Sequence, residues 1–198
     1  KENNGFDIIA AQDGSFVKGS SADWSSYQME QYAIQLYTLQ KSLAETGSDA
    51  RVLYISAQPS VVYGYTEPLE SFSLPDESAM MQALLYYLRA YDVDFLDTEY
   101  VLRRSSLEPS ELICRTDTIW TTRASFAAVQ ALVGKLDSQY DAGIDPSWHY
   151  YNDDNFQRTT YPDVMMGTFG MQAGEHYTGR EDFTAILPTY ETDFSLTL

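Results

Sequence analysis

Apolar positions change their spacing several times along this chain, and each change marks an element. In "DIIAAQDGSFVKG" two short apolar runs flank Asp13-Gly14, a dipeptide at ease in left-handed backbone, which predicts a two-residue hairpin. From about Ser25 to Glu45 the pattern turns helical. Met29, Ala33, Leu36, Tyr37, Leu43 and Ala44 share one face, and Gly47 is placed to cap the C-terminus. "ARVLYISAQ" is short, continuous and β-branched, and so reads as a buried strand.

A Pro- and Ser-rich loop from Pro59 to Pro75 comes next. Asp76 can cap a second helix whose stripe is Met80, Leu84, Tyr87, Leu88 and Tyr91. "VDFLD" predicts another strand, "TEYVLRRSSLEPS" a short helical or irregular piece, and "ELICR" a third strand. A third helix is predicted from about Thr122 to Ser138, with Phe126, Val129, Val133 and Leu136 inward. Strand and helix in alternation predict parallel βαβ units, hence an α/β fold at least from residue 50 to residue 138. Beyond that the period dissolves into aromatic, Gly, Asp and Asn positions. Long ordered loops are expected there, with short strands at "DVMMGTF" and "FTAILPTY".

Composition narrows this picture. The chain has 198 residues, enough for one domain with a sizeable core, so a single domain over 1–198 is expected. Its 44% hydrophobic content, 16 tyrosines and 9 phenylalanines exclude disorder, and no apolar run is long enough to span a membrane. Acids outnumber bases 29 to 12, a field that repels nucleic acid and anionic lipid. The lone cysteine, Cys114, has no internal partner for a disulfide and is expected to pack in the core. The opening "KENNGF" carries neither methionine nor an apolar leader core, as expected of an exported protein whose leader has been removed.

Candidate chemistry centres on "RTDTIWTT", residues 115–122. Asp117 follows the predicted strand "ELICR", and functional groups gather outside the carboxyl ends of parallel strands. In extended backbone the side chain two residues on points to the same side. A histidine there would be oriented by the carboxylate as general base for a serine, the logic of a hydrolase triad. The position holds Ile119.

"TDTIWTTRASFAAVQAL" resembles the signature of the DHHW family and the related alginate O-acetyltransferase-like proteins, in which Asp-x-His-Trp-Thr precedes a helix opened by Gly-Ala-Tyr. "AAQDGSFVKG", "VLYISAQPSVVYGY", "MMGTFG" and "EDFTAILPTY" are similar to further elements of that family, in the same order. The resemblance implies an SGNH-hydrolase-like fold, a three-layer α/β/α arrangement around a parallel central sheet with long C-terminal loops. It also implies an exported, extracellular or cell-envelope protein tied to polysaccharide O-acylation. Asp117 takes the motif aspartate's place and Trp120 the tryptophan's, while Ile119 stands for the histidine and Ala124 for the glycine. The relatives' serine block, a strand followed by Asp-Ser, has no counterpart in the sequence. Either the chain is part of a longer protein or it is a shortened, non-catalytic relative.

Two function classes follow. One is a catalytically degenerate O-acyl esterase or acetyltransferase domain, with Asp117 as the surviving catalytic residue, against its competing role as a helix N-cap or turn aspartate that holds backbone amides. The other is a non-catalytic envelope module that meets a cell-surface polysaccharide or an envelope protein through aromatic side chains. Trp120, Tyr63, Trp148 and Tyr151 are the candidate substrate-binding residues, with packing of the loops themselves as the competing role. His149 and His176 are two imidazoles that could replace the missing base from the loops, against ordinary surface histidines. Asn152, Asp153, Asp154 and Asn155 offer oxygen ligands but lack calcium-loop spacing, and read as a solvated turn. Neither a metal nor a cofactor is expected.

Overall fold

A computed structural model of the chain describes residues 8–10, 14–18, 24–56 and 77–192. Tyr63, the 59–75 loop, Asp13 and the capping Asp76 lie outside these residues. The described residues fall into two compact units, divided between Ser105 and Ser106. Together they make a mixed α/β protein.

In the first unit, β1 (Ile8–Ala10) pairs antiparallel with β2 (Phe16–Lys18), as expected of two strands around Asp13-Gly14, but the register pairs Ala10 with Phe16 and leaves five residues between them where a two-residue turn was expected. Helix α1 (Ser26–Glu45) begins at a capping box. The Gln28 amide donates to the Ser25 hydroxyl at 3.3 Å, and the Ser25 amide donates to Gln28 Oε1 at 2.9 Å. Two of the donors a helix leaves orphaned at its start are thus satisfied. At the other end Gly47 takes φ +72°, its amide donating to Ala44 O and that of Ser48 to Leu43 O. This is a Schellman closure, and it needs the left-handed backbone that glycine adopts without cost.

Strand β3 (Leu53–Ile55) pairs in parallel with β4 (Asp94–Leu96), with α2 (Glu77–Ala90) between them in sequence. Helix α2 closes by the same device as α1, with Asp92 at φ 56° in the glycine's place. Its amide donates to Arg89 O and that of Val93 to Leu88 O. Met29, Ala33, Leu84, Leu85, Leu88 and Val93 form the buried core with Leu36, Tyr37, Met80, Tyr87 and Tyr91 packed against it, so most of the stripe positions read from the sequence pack, while Ala44 and, in the third predicted helix, Val129 are exposed. At the carboxyl ends of the two parallel strands Ser56 and Thr98 are buried, and their hydroxyls are used up on each other's backbone and on Leu96 O. Helix α3 (Thr98–Arg103) follows, capped by Asp97.

The second unit departs from expectation. "ELICR" does not form a third parallel strand. Ile113 makes a single antiparallel bridge with Trp120, the Cys114 amide donates to Ile119 O at 2.9 Å, and the Thr121 amide donates to Leu112 O at 3.0 Å. The octapeptide folds back on the segment before it, so Asp117 and Ile119 lie in a turn and the extended-backbone argument for their sharing a side fails. Helix α4 (Thr122–Tyr140) starts where predicted and is capped by Thr121. The C-terminal region is more regular than the long loops expected there, although a strand does lie on "FTAILPTY" and another ends within "DVMMGTF". Strand β5 (Phe156–Met165) pairs antiparallel with β6 (Glu181–Pro188), with α5 (Thr168–Ala173) and α6 (Glu175–Thr178) between them. Thr159, Thr160 and Tyr161 favour extended backbone, and the register slips after Tyr161, where Pro162 cannot donate to a ladder and Asp163 takes φ 54°.

Across the described residues the only parallel pair is β3 with β4. No described helix is long and apolar enough to cross a membrane.

Candidate functional site

The turn after Ile113 is built from two residues that look inconspicuous in the sequence. Thr116 is fully buried, and its hydroxyl is held by the Glu181 carboxylate while accepting the Gly167 amide at 2.7 Å. Glu181 also accepts the amides of Arg115 at 2.8 Å and Thr116 at 2.9 Å, which pins the turn to the start of β6. The Thr116 carbonyl in turn accepts the amides of Phe169 at 3.0 Å and Gly170 at 3.2 Å.

Asp117 completes this arrangement. One oxygen accepts the amide of Thr118 at 2.7 Å, closing the local turn. The other accepts the Thr168 amide at 2.7 Å and the Thr168 hydroxyl at 3.0 Å. Helix α5 has glycine at its N-cap and no capping side chain of its own, so its first amides would be orphaned. Thr116 and Asp117, about fifty residues upstream in the chain, satisfy them instead. Asp117 is therefore a cap delivered in trans.

The close approach explains two glycines. A Cβ on Gly167 would lie 2.4 Å from Thr116 O and 2.6 Å from Asp117 Cβ, and one on Gly170 would lie 2.7 Å from Met166 Cγ. At Gly167 the obstacle is backbone and only hydrogen fits, whereas at Gly170 a methyl group would require the Met166 side chain to shift.

Ile119 is 52% exposed, an alkyl group where the resemblance calls for an imidazole. Among the described residues neither histidine hydrogen-bonds to Asp117. His149 stacks edge-on with Tyr150 and His176 with Tyr177. Cys114 is buried beside this turn, and its thiol is pushed up to about 12 by burial first and then by the charges of Glu181 and Asp117. A thiol held protonated to that pH is a packing group, not a nucleophile.

The second group of candidates sits on the loop between α4 and β5. Asp145 is only 2% exposed, and its carboxylate accepts the amides of His149, Tyr150 and Tyr151, each at 2.8 Å. Burial alone would raise its pKa, but the three amides outweigh it and hold the group below the ordinary carboxylate value. Asp137, in the last turn of α4, accepts the amides of Ile144 and Asp145, both at 2.6 Å. Trp148 is held at φ 55° with its indole against Gly134 of α4. Tyr150 and Phe156 both pack edge-on against Tyr190. The 152–155 oxygens are engaged locally: Asn152 caps a 3-10 turn over Asp153–Asn155, Asp153 pairs with Arg158 at 3.2 Å, and Asn155 donates to His149 O.

Of the site residues read from the sequence, Asp117 and Trp120 thus share the turn before α4, and Trp148 and Tyr151 share the Asp145 loop. Each group is held by hydrogen bonds of its own. Thr116, Gly167, Thr168, Glu181 and Asp145 went unread. The one advance signal was "DPS" at 145–147, a sequence that favours a side-chain-closed turn.

This mixed α/β arrangement is similar to that of several solved structures, among them O-acetyltransferase-related proteins. The chain superposes on the O-acetyltransferase domain of Pseudomonas putida AlgJ with TM-score 0.64 and 14% identity, over 91% of this chain and 65% of that one. A DHHW family protein from Eubacterium siraeum matches with TM-score 0.63 and 17% identity, over 95% and 56%. Bacillus cereus PatB1 carrying a sulfonyl adduct matches with TM-score 0.66 and 14% identity, over 93% and 57%. The likeness is one of fold, and the chain spans less than two thirds of the length of each of these structures. No protein-family model matches the sequence, and no curated protein matches it.

Proposed function

We propose that this chain is a domain of an exported bacterial protein, descended from polysaccharide O-acyl esterases or O-acetyltransferases and catalytically silent in its present form. The proposal extends the mixed α/β fold to the three-layer arrangement of those proteins, with 1–198 acting as one SGNH-like domain. The observation that carries it is the state of the motif aspartate. Both Asp117 oxygens are occupied by the Thr118 and Thr168 amides and the Thr168 hydroxyl, while the side chain that would relay a proton is the alkyl group of Ile119. Loss of a triad histidine lowers turnover on the order of a million-fold where it has been measured in a serine protease. An acetyl-ester hydrolysis assay on the chain and on Ile119→His tests this reading. No turnover above the uncatalysed rate is expected for the chain as it stands. Turnover that depends on Asp117 would overturn it, and turnover gained only in Ile119→His would show a serine still in position.

A second reading has its own support. Trp148 and Tyr150 are 41% and 48% exposed on a loop that Asp145 holds rigidly, as a non-catalytic module that meets a glycan would require. A panel of neutral glycans, assayed against the chain and Trp148→Ala, tests it. Binding lost in the variant supports the module.

A further inference from the structure

Arg103 and Arg104 are the only adjacent pair of basic residues in the chain, which carries 12 lysines and arginines in all. The pair ends α3, a helix of six residues, and "SSLE" follows it with no helix or strand before the 3-10 turn at Pro109–Glu111. Arg103, Arg104 and Ser106 are exposed. The Arg104–Ser105 bond lies one residue before the point at which the chain divides into its two compact units, and each described strand pair falls wholly on one side of it. A cut there parts no strand from its partner.

The backbone around that bond is loosely held. The Arg104 amide donates to Val101 O and the Ser105 amide to Leu102 O, both at 3.2 Å and both across the three-residue span of a 3-10 turn, whose hydrogen-bond geometry is poorer than that of an α-helix. The Arg104 guanidinium lies 5.1 Å from the ring centroid of the exposed Tyr100, a weak contact at a wet site. Arg103 pairs with Glu99 at 2.8 Å, and Glu99 keeps the Ser78 hydroxyl at 3.0 Å when the guanidinium leaves. Leu102 is buried and anchors the turn from within, so access to the pair takes an opening of this last turn and not of the whole unit. A helix of six residues is too short to hold itself together by its own hydrogen bonds, which keeps the opening cheap.

We propose that Arg104–Ser105 is a processing site, cut by an arginine-specific endoprotease that reads the basic pair with carboxylate-lined pockets. Two neighbouring guanidinium groups stand out in a chain of net charge −17, and carboxylates recognise them by charge-assisted hydrogen bonds. Water adds across the bond. The C–N bond between the two residues breaks, the water oxygen joins the Arg104 carbonyl carbon to leave a carboxylate, and the Ser105 nitrogen leaves as an ammonium group. Residues 1–104 keep β1 to β4 and α1 to α3, while residues 105–198 keep the Asp117 turn, α4 and the pairing of β5 with β6. The cut depends on neither catalysis nor glycan binding by the chain.

Limited digestion of the whole chain tests this, with a protease specific for paired basic residues in one arm and trypsin at low ratio in the other, followed by intact-mass spectrometry. The first protease is expected to convert the chain to 1–104 and 105–198. Trypsin is expected to make the same two products about tenfold faster than it cuts after Arg51, Arg115 or Arg180, which also lie outside helices and strands. Far-ultraviolet circular dichroism of the nicked chain should match that of the intact one. Ser42→Arg sets a second basic pair with Lys41 on the exposed side of α1, a helix of 20 residues, and cutting should stay confined to Arg104. Arg103→Gln should stop the pair-specific protease and leave the trypsin cut in place. Survival of the Arg104–Ser105 bond while Arg51 or Arg180 is cut would overturn the proposal. So would equal cutting at the second pair in Ser42→Arg, or loss of the helical signal in step with the first cut.

Discussion

Asp117, which the resemblance places in a catalytic motif, holds the start of a helix and its own turn in this structure. Its carboxylate supplies the cap that α5 lacks, so Asp117→Ala should cost about 0.5–2 kcal/mol, the usual range for a lost N-cap. Urea unfolding of the variant reads this directly. Gly167→Ala strikes the same contact from the other side. Its new Cβ would meet the Thr116 carbonyl, a backbone atom with little room to yield, and the expected loss is about 1–3 kcal/mol by overpacking. An unchanged unfolding midpoint for Gly167→Ala would contradict the packing described for this turn. Asp145 adds a pH dependence. Its pKa in the folded chain lies below that in the unfolded chain, so it stabilises the fold at neutral pH. That contribution is lost as pH falls through and below the ordinary carboxylate range. Asp145→Asn should therefore lower the melting temperature at neutral pH and narrow the gap to the unaltered chain under acid.

Among the elements, helix ends were the most legible parts of the chain. Gly47 was readable as the C-terminal cap of α1, and the helix starts close to Ser25, where the helical spacing begins, with Gln28 completing a capping box there. Helix α2 uses the same closure with an aspartate at the left-handed position, where glycine is less strained. Asp92→Gly should accordingly raise stability by about 0.5–1 kcal/mol, measured as a higher urea midpoint. The strands were less legible. "ELICR" has the composition of a buried strand, yet Asp117 and Thr116 bind backbone partners that turn the chain back at residue 115. Strand β5 was hidden for the opposite reason, since Pro162 and Asp163 interrupt a run whose threonines and tyrosine otherwise favour extension.

At the scale of the whole molecule, charge dominates. With 29 acids against 12 bases the folded chain repels itself, so added salt at neutral pH should raise its melting temperature. Thermal melts across a salt series check this, and a fall over the same range would point to ion pairs outweighing the repulsion. Exposed ion pairs such as Arg180 with Glu175 at 2.8 Å contribute little to stability, which supports the expected sign.

Local physics explains what the sequence determined by itself. Helical stripes, caps, the Asp13-Gly14 hairpin and net charge depend on residues near one another in the chain, or on composition alone. The mixed α/β class and the likeness to O-acetyltransferase-related folds were within reach for that reason. The roles of Thr116, Asp117, Gly167 and Glu181 depend on amides and carboxylates brought together from segments about fifty to sixty-five residues apart. No spacing rule encodes such a meeting, because a hydrogen bond depends on distance in space and not on distance along the chain. Only the tertiary structure could decide that Asp117 spends one oxygen on Thr168 at the start of α5 and the other on its own turn.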